Sequence, residues 1–305
     1  MPAVLVVPLA AAISYFQAIV LGVLQGITEL FPISSLGHTV LFPTLFGWND
    51  LVHAQSQKES FWLAFVVMLH VGSAIGLLIY YRRDWIEIVG AFFSSLGKRR
   101  AETANERLAW LIIVASIPAG VFGLALEKQL RTLTAKPEVA AIFLMVNGLL
   151  LFGFERVRKR GEVRELAIRE GAKPDGARVL ETLEYREALL VGFAQSTALV
   201  AGISRDGVTM GTGVARGLDH SDSARFAFLL ATPIILAAGI FKMPDLLGHL
   251  GDGIRGQALV AMAVAAITAV FTVAFLVKYF KTRTLAPFGV YCVLFGLFML
   301  IYTIA

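Results

Sequence analysis

Six stretches of this chain, residues 61–81, 108–126, 139–154, 226–241, 257–277 and 284–305, are apolar on every face rather than along one stripe. A helix that is hydrophobic all round is buried in a large core or lies in a membrane. The 21-residue stretches 61–81 and 257–277, at about 1.5 Å rise per residue, match the roughly 30 Å hydrocarbon core. The pattern therefore predicts six transmembrane helices in an all-α polytopic membrane protein. Two further apolar segments, 18–39 and 188–209, behave differently, because polar residues and helix breakers interrupt them.

Composition sharpens this reading. Of 305 residues 57% are hydrophobic and only 16% charged, against about 25% charged in an ordinary soluble domain. The net charge of +5 points to no nucleic-acid partner, since the basic residues flank membrane segments as the positive-inside bias expects. Cys292 is the single cysteine, which excludes a disulfide framework or thiolate metal site. No basic stretch precedes the first apolar run, so no cleaved signal peptide is expected.

Arg82, Arg83, Lys98, Arg99 and Arg100 fill one loop, Arg156, Arg158, Lys159 and Arg160 open a second, and Lys278, Lys281 and Arg283 make a third. All three are expected in the cytoplasm, with loops 48–60, 127–138 and 242–256 outside. Three spans then follow each interrupted segment, and the two sets run in opposite senses. The expected architecture is two inverted-topology repeats, each a re-entrant helical hairpin plus three transmembrane helices. The first covers 1–154 with its hairpin at about 15–47. A cytoplasmic linker spans 155–187. The second repeat covers 188–305 with its hairpin at about 188–217.

The interrupted segments copy each other at an offset of 170. They are identical at Ala18/Ala188, Gly22/Gly192, Gln25/Gln195, Ile33/Ile203, Ser34/Ser204, Gly37/Gly207 and Thr39/Thr209, seven of 22 positions, where chance would give roughly two. Elsewhere they diverge in chemistry. Glu29 faces Leu199, Ser35 faces Arg205 and His38 faces Val208. One copy carries a carboxylate, a hydroxyl and an imidazole; the other carries a guanidinium.

Pro32 disfavours helix at Phe31, and Ser34 and Ser35 are good N-caps for a helix that follows. Gln25 and Glu29 share a helix face. In the second copy Gly202 permits a tight turn, Ser204 or Asp206 can cap the next helix, and Arg205 is the only basic residue between Arg186 and Arg216. A helix N-terminus beside a guanidinium is a strong anion site. If the hairpins meet tip to tip, phosphate is the natural occupant of the junction, near the membrane midplane. A structural ion pair between Glu29 and Arg205 would also account for both charges. His70, mid-span, reads as a helix–helix hydrogen bond, and His53, His220 and His249 lie in or near loops with no chemistry expected. Gly72, Ser73, Gly76 and Gly148 read as small packing residues. Asp206 either neutralises Arg205 or helps bind a metal.

At these residues the chain resembles the undecaprenyl-diphosphate phosphatase family, also called the bacitracin-resistance protein family. Gln25, Glu29, Pro32, Ser34, Ser35, Gly37 and His38 match its first motif, (E/Q)xxxE followed by PxSSxGH. Gly202, Ser204, Arg205, Gly207 and Thr209 match its second, PGxSRSGxT, and Ala224-Arg225-Phe226 through Pro233 also look like the family. Ala201 stands where the family usually has proline, Asp206 where it usually has serine, and Leu36 where serine or threonine is common.

The resemblance implies hydrolysis of undecaprenyl diphosphate to the monophosphate and phosphate. This would recycle the lipid carrier for cell-wall synthesis and confer bacitracin resistance, in the bacterial inner membrane, with the site open to the outer side. Glu29, Ser35, His38 and Arg205 are the expected catalytic residues. Gln25, Ser34, Ser204 and Thr209 would bind substrate. A divalent cation, Mg²⁺ or Ca²⁺, is expected, with Glu29 and Gln25 as its candidate ligands. Expected partners are the polyprenyl diphosphate and the phospholipid bilayer, with a homodimer left open. Ser35 as nucleophile, with Glu29 and His38 moving protons, is one mechanism. A His38 nucleophile through a phosphohistidine, or a metal-activated water, are others. Inverted repeats with broken helices are also a transporter design, so a polyprenyl-phosphate flippase is the alternative function.

Overall fold

The computed structural model describes residues 13–56, 61–134, 136–168 and 178–305. Among them the chain forms twelve α-helices and no strands. Six are long and apolar enough to cross a membrane: Phe61–Tyr80, Ala104–Leu126, Pro137–Arg160, His220–Leu247, Arg255–Tyr279 and Ala286–Ile304. They coincide with the six apolar runs of the sequence. The protein is an all-helical, multi-pass membrane protein. The expectations for the first 12 residues, for 169–177 within the linker and for the side chains of His53 and His249 lie outside the described residues.

Four short helices carry the interrupted segments: α1 (Tyr15–Thr28), α2 (Ser35–Leu45), α8 (Tyr185–Ser196) and α9 (Arg205–Ala215). The longest has 14 residues, or about 21 Å at the α-helical rise, too short to span the hydrocarbon alone. α1 and α2 form one helical hairpin, α8 and α9 another. The remaining helices are α3 (Asn49–Ser56), α4 (Phe61–Tyr80), α5 (Arg82–Lys98), α6 (Ala104–Thr134), α7 (Pro137–Ile168), α10 (His220–Leu247), α11 (Arg255–Tyr279) and α12 (Ala286–Ile304).

Two of the charged connections are helical in part. The basic loop after α4 is largely helix: α5 presents exposed Ile86 and Phe93 on one side among charges such as Arg83 and Glu87. The expected linker at 155–187 begins inside α7, which runs on to Ile168. A run of charges ends the apolar stretch but does not end a helix whose residues are good helix formers.

The hairpins are placed by glycine. α1 packs on α11 and α8 on α6. A Cβ at Gly22 would lie 2.7 Å from the Ala261 carbonyl oxygen, and one at the matching Gly192 2.4 Å from that of Ala115. Each hairpin therefore rests against a membrane helix from the other half of the sequence, at a distance only glycine allows. α4 lies between α11 and α10, and α7 packs on both α12 and α9. This arrangement brings the two hairpin tips together.

The base of the second hairpin is closed by charge. Arg178 donates to both carboxylate oxygens of Glu187, at 2.8 Å each, and Arg216 Nε donates to one of them at 2.9 Å. The Arg178 guanidinium above all holds this carboxyl down at about 2.

Candidate active site

Both helix starts at the tips are built alike. Ser34 caps α2 and accepts from Gly37 N at 3.2 Å; Ser204 caps α9 and accepts from Gly207 N at 3.1 Å. Thr39 donates back to the Ser35 carbonyl at 3.2 Å, and Thr209 to the Arg205 carbonyl at 2.8 Å. The duplicated residues thus repeat the same local bonds. Ser35 and Arg205, the divergent pair, each occupy the first helical residue after the cap. The first N–H groups of a helix lack intrahelical acceptors, so each chemical side chain projects beside a partial positive charge.

The tips touch directly. Gly202, at φ 104°, donates its N–H to Ser34 Oγ at 3.1 Å. Ser34 has φ 68°, a left-handed conformation costly for a side-chain-bearing residue. It is held there because its hydroxyl serves two backbone donors from two hairpins. Asn147 of α7 completes the joint: its Nδ2 donates to the Pro32 carbonyl at 3.0 Å, and its Oδ1 accepts from Ser204 N at 2.9 Å. Replacing Asn147 by Ala strands both buried backbone groups, at about 1–3 kcal/mol each. Asn147→Ala is expected to lower the thermal midpoint in detergent by roughly 5–10 °C, measured by unfolding of the purified protein.

At this joint lies a closed set of polar groups. Arg205 donates to Glu29 Oε1 at 2.5 Å, and Gln25 Nε2 donates to Glu29 Oε2 at 2.9 Å. Ser35 Oγ donates to the same Oε2. His70 reaches in from α4, its Nε2 3.3 Å from Glu29 Oε2 and 3.4 Å from Ser35 Oγ. Its Nδ1–H donates to the Val66 carbonyl at 2.8 Å, which leaves Nε2 as the nitrogen facing the site. Glu29 and Ser35 are buried, whereas the side chains of Arg205 and His70 keep 15% and 22% exposure. Those two form the rim through which a ligand would reach the hydroxyl.

Several residues sit elsewhere than the sequence suggested. His38 is fully buried, and its ring engages neither Glu29 nor Ser35. Nδ1–H donates to the Ser34 carbonyl at 2.7 Å, and Nε2 accepts from the Tyr291 hydroxyl at 2.8 Å. The ring stacks on Tyr291 and Phe295 of α12. The hydroxyls of Ser34, Ser204 and Thr209, expected on substrate, are taken up by backbone partners in this state. His70 is the opposite case, since its place on Glu29 was missed. A titratable group in mid-span is the signal that could have singled it out. Asn147 and Tyr291 carry no such signal, each being a neutral polar residue within an apolar run.

A resident divalent cation fits poorly. Glu29 already accepts from Arg205, Gln25 and Ser35, and the side-chain oxygens nearby without a hydrogen-bond partner are those of Gln25 Oε1 and the Asp206 carboxylate. The described residues contain no group of three His, Cys, Asp or Glu suited to a metal, while Mg²⁺ and Ca²⁺ need six or more oxygens. Asp206 is buried with neither oxygen hydrogen-bonded, 3.5 Å from Arg205 Nε.

Comparison with known proteins meets this geometry. Residues 18–298 match the family described as Bacitracin resistance protein BacA. The chain belongs to this family. It is 47% identical to Undecaprenyl-diphosphatase 2 of Frankia alni, across 93% of this chain and 96% of that protein. It is 48% identical to Undecaprenyl-diphosphatase of Mycolicibacterium paratuberculosis, across 94% and 97%. The family match covers five of the six membrane-length helices whole, the sixth as far as residue 298 and both hairpins from residue 18 on, so the joint between the hairpin tips falls wholly within it.

Proposed function

We propose that this protein hydrolyses undecaprenyl diphosphate to undecaprenyl phosphate and inorganic phosphate in the bacterial inner membrane. The observation that carries the reading is a serine hydroxyl, bonded to a buried carboxylate that an arginine holds, where two helix N-termini meet. The full-length relatives named as undecaprenyl-diphosphatases support it. So does the setting, in which a polyprenyl tail can stay in lipid while its polar head enters between the hairpins. The reading takes the two halves as inverted repeats, with the basic ends cytoplasmic and the site open outward, as the resemblance implies.

In this mechanism Ser35 Oγ attacks the terminal phosphorus. Its proton passes to Glu29 Oε2, the oxygen it already bonds, and His70 Nε2 stands within reach to take it on. The P–O bond to the departing lipid monophosphate breaks as Oγ–P forms. Water then attacks the phosphoserine, breaking Oγ–P and releasing phosphate. Arg205 and the N-terminal N–H groups of α2 and α9 stabilise charge on the phosphoryl oxygens; such fixed donors carry most of phosphoryl-transfer catalysis. A divalent cation in this reading arrives on the diphosphate rather than in a protein cage, in keeping with how Mg²⁺ is usually held. His38 positions α2 against α12 and moves no proton.

Phosphate release from detergent-solubilised protein, given a short-chain polyprenyl diphosphate with Mg²⁺ or Ca²⁺, tests the function. No release under any divalent cation would refute hydrolysis and favour a carrier. The division of labour between the histidines has its own test. General acid–base groups contribute about 10²–10⁴-fold, so His70→Gln is expected to lower kcat by that range. Tyr291→Phe, which unties His38, should cost less than about tenfold, in line with one neutral hydrogen bond. The reverse ranking in steady-state assays would return proton transfer to His38.

A further inference from the structure

At the basic end of the helices the protein has a polar cavity of about 450 Å³. It shares no residue with the site around Glu29. Arg158 of α7, His220 at the start of α10, and Lys281 and Arg283 in the turn between α11 and α12 line it, with Asp219 as the acidic member among the described residues. Asp219 is already committed, because its Oδ1 caps α10 by accepting from Asp222 N at 2.6 Å. Lys281 and Arg283 are exposed and form no ion pair among the described residues.

The cationic wall is set from behind. Glu155 is buried, and its Oε1 accepts from Leu285 N at 2.8 Å and from His220 Nε2 at 2.7 Å. His220 therefore presents Nδ1 as an acceptor, and Arg158 donates to it at 2.7 Å. A buried carboxylate fixes the imidazole, and the imidazole fixes the guanidinium at the cavity. Three cations thus surround one concave space, with Thr282 among its hydroxyls. This is the donor set a phosphate group requires.

We propose that this cavity binds the phosphate of an anionic lipid headgroup. It opens where α10, α11 and α12, three of the membrane-length helices, begin or end. Headgroups lie at that depth, and basic pockets between transmembrane helices on the cytoplasmic side are suited to them. Free phosphate has the same charge chemistry but no reason to sit at a membrane boundary. Because α12 carries Tyr291 and α7 carries Asn147, a bound headgroup would brace the two helices that buttress the hairpin tips.

Native mass spectrometry of the full chain in nonionic detergent tests this, with phosphatidylglycerol and phosphatidylcholine titrated separately. One phosphatidylglycerol per chain is expected to be retained in preference to phosphatidylcholine, and millimolar inorganic phosphate should not displace it. Each basic residue near an anionic headgroup contributes about fivefold, so Lys281→Gln with Arg283→Gln should weaken retention about twenty-five-fold. Both positions are exposed, so the variant is expected to fold, and Glu155→Gln provides an independent second probe of the wall. Unchanged retention in the double variant would overturn the site. Displacement by inorganic phosphate would overturn the lipid assignment.

Discussion

Arg205→Ala is expected to lower kcat at least ~10³-fold, since removing one preorganised charge donor costs about 10²–10³ and the carboxylate proposed as base, Glu29, loses its partner as well. The variant also leaves Glu29 buried without its cation, which costs about 3–5 kcal/mol of stability, so activity alone is ambiguous. The double variant Glu29→Gln with Arg205→Met resolves this. It removes both charges together, and a buried pair replaced by neutral groups of similar size is often near neutral in stability. The expected result is a thermal midpoint restored toward wild type with activity still absent. Recovery of phosphatase activity in the double variant would reduce the pair to a structural tie. Arg205→Lys should not rescue. An ammonium cannot reproduce the fork by which the guanidinium reaches Glu29 at 2.5 Å and the Ala231 carbonyl at 3.3 Å.

Ser35→Ala should be the most severe change at the site. If Ser35 is the nucleophile, its loss leaves only binding and electrostatic stabilisation, and removal of catalytic residues from a serine hydrolase lowers kcat by about 10⁴–10⁶. The side chain is small and its hydroxyl makes no backbone bond, so the fold should be unaffected and the midpoint should move by less than about 1 kcal/mol equivalent. The stronger measurement is chemical. A single turnover with ³²P-labelled substrate, quenched in acid, should leave label on the wild-type chain within the peptide containing Ser35. Phosphoserine survives acid, whereas phosphohistidine does not. Label that persists in Ser35→Ala, or label lost in acid, would move the nucleophile to another residue. No label in either protein, with full activity in Ser35→Ala, would point to attack by water.

Much of this could be read from the chain alone, for reasons that are local. Runs apolar on every helical face and long enough to cross the hydrocarbon mark membrane spans, and all six runs became membrane-length helices. Pro32 disfavours helix at the residue before it, and Gly202 adopts a positive φ open to few other residues, so the two interruptions were visible in place. The repeat at offset 170 picked out positions that do the same local work in both copies, although Ser34, Ser204 and Thr209 were expected on substrate. Ser34 and Ser204 cap, Thr39 and Thr209 bond back to the previous turn, and Gly22 and Gly192 admit a neighbouring helix. The mismatched positions were left for chemistry, and Glu29, Ser35 and Arg205 do meet.

The histidines show where such reading stops. His38 and His70 have the same local geometry: each donates Nδ1–H to the carbonyl four residues earlier, at 2.7 and 2.8 Å, and points Nε2 outward. Nothing within either helix says which Nε2 meets Ser35. That is decided by the face each helix turns toward its neighbours, and α2 turns His38 to Tyr291 while α4 turns His70 to Glu29. Asn147 was illegible for the same reason, because its two partners lie 115 and 57 residues away. The sequence by itself determined the spans, the breaks, the caps and the reserve of unusual polar groups, all consequences of propensity and periodicity within a few turns. The tertiary structure alone decided which of those groups share a hydrogen bond, because that depends on the rotation and approach of helices distant in the chain.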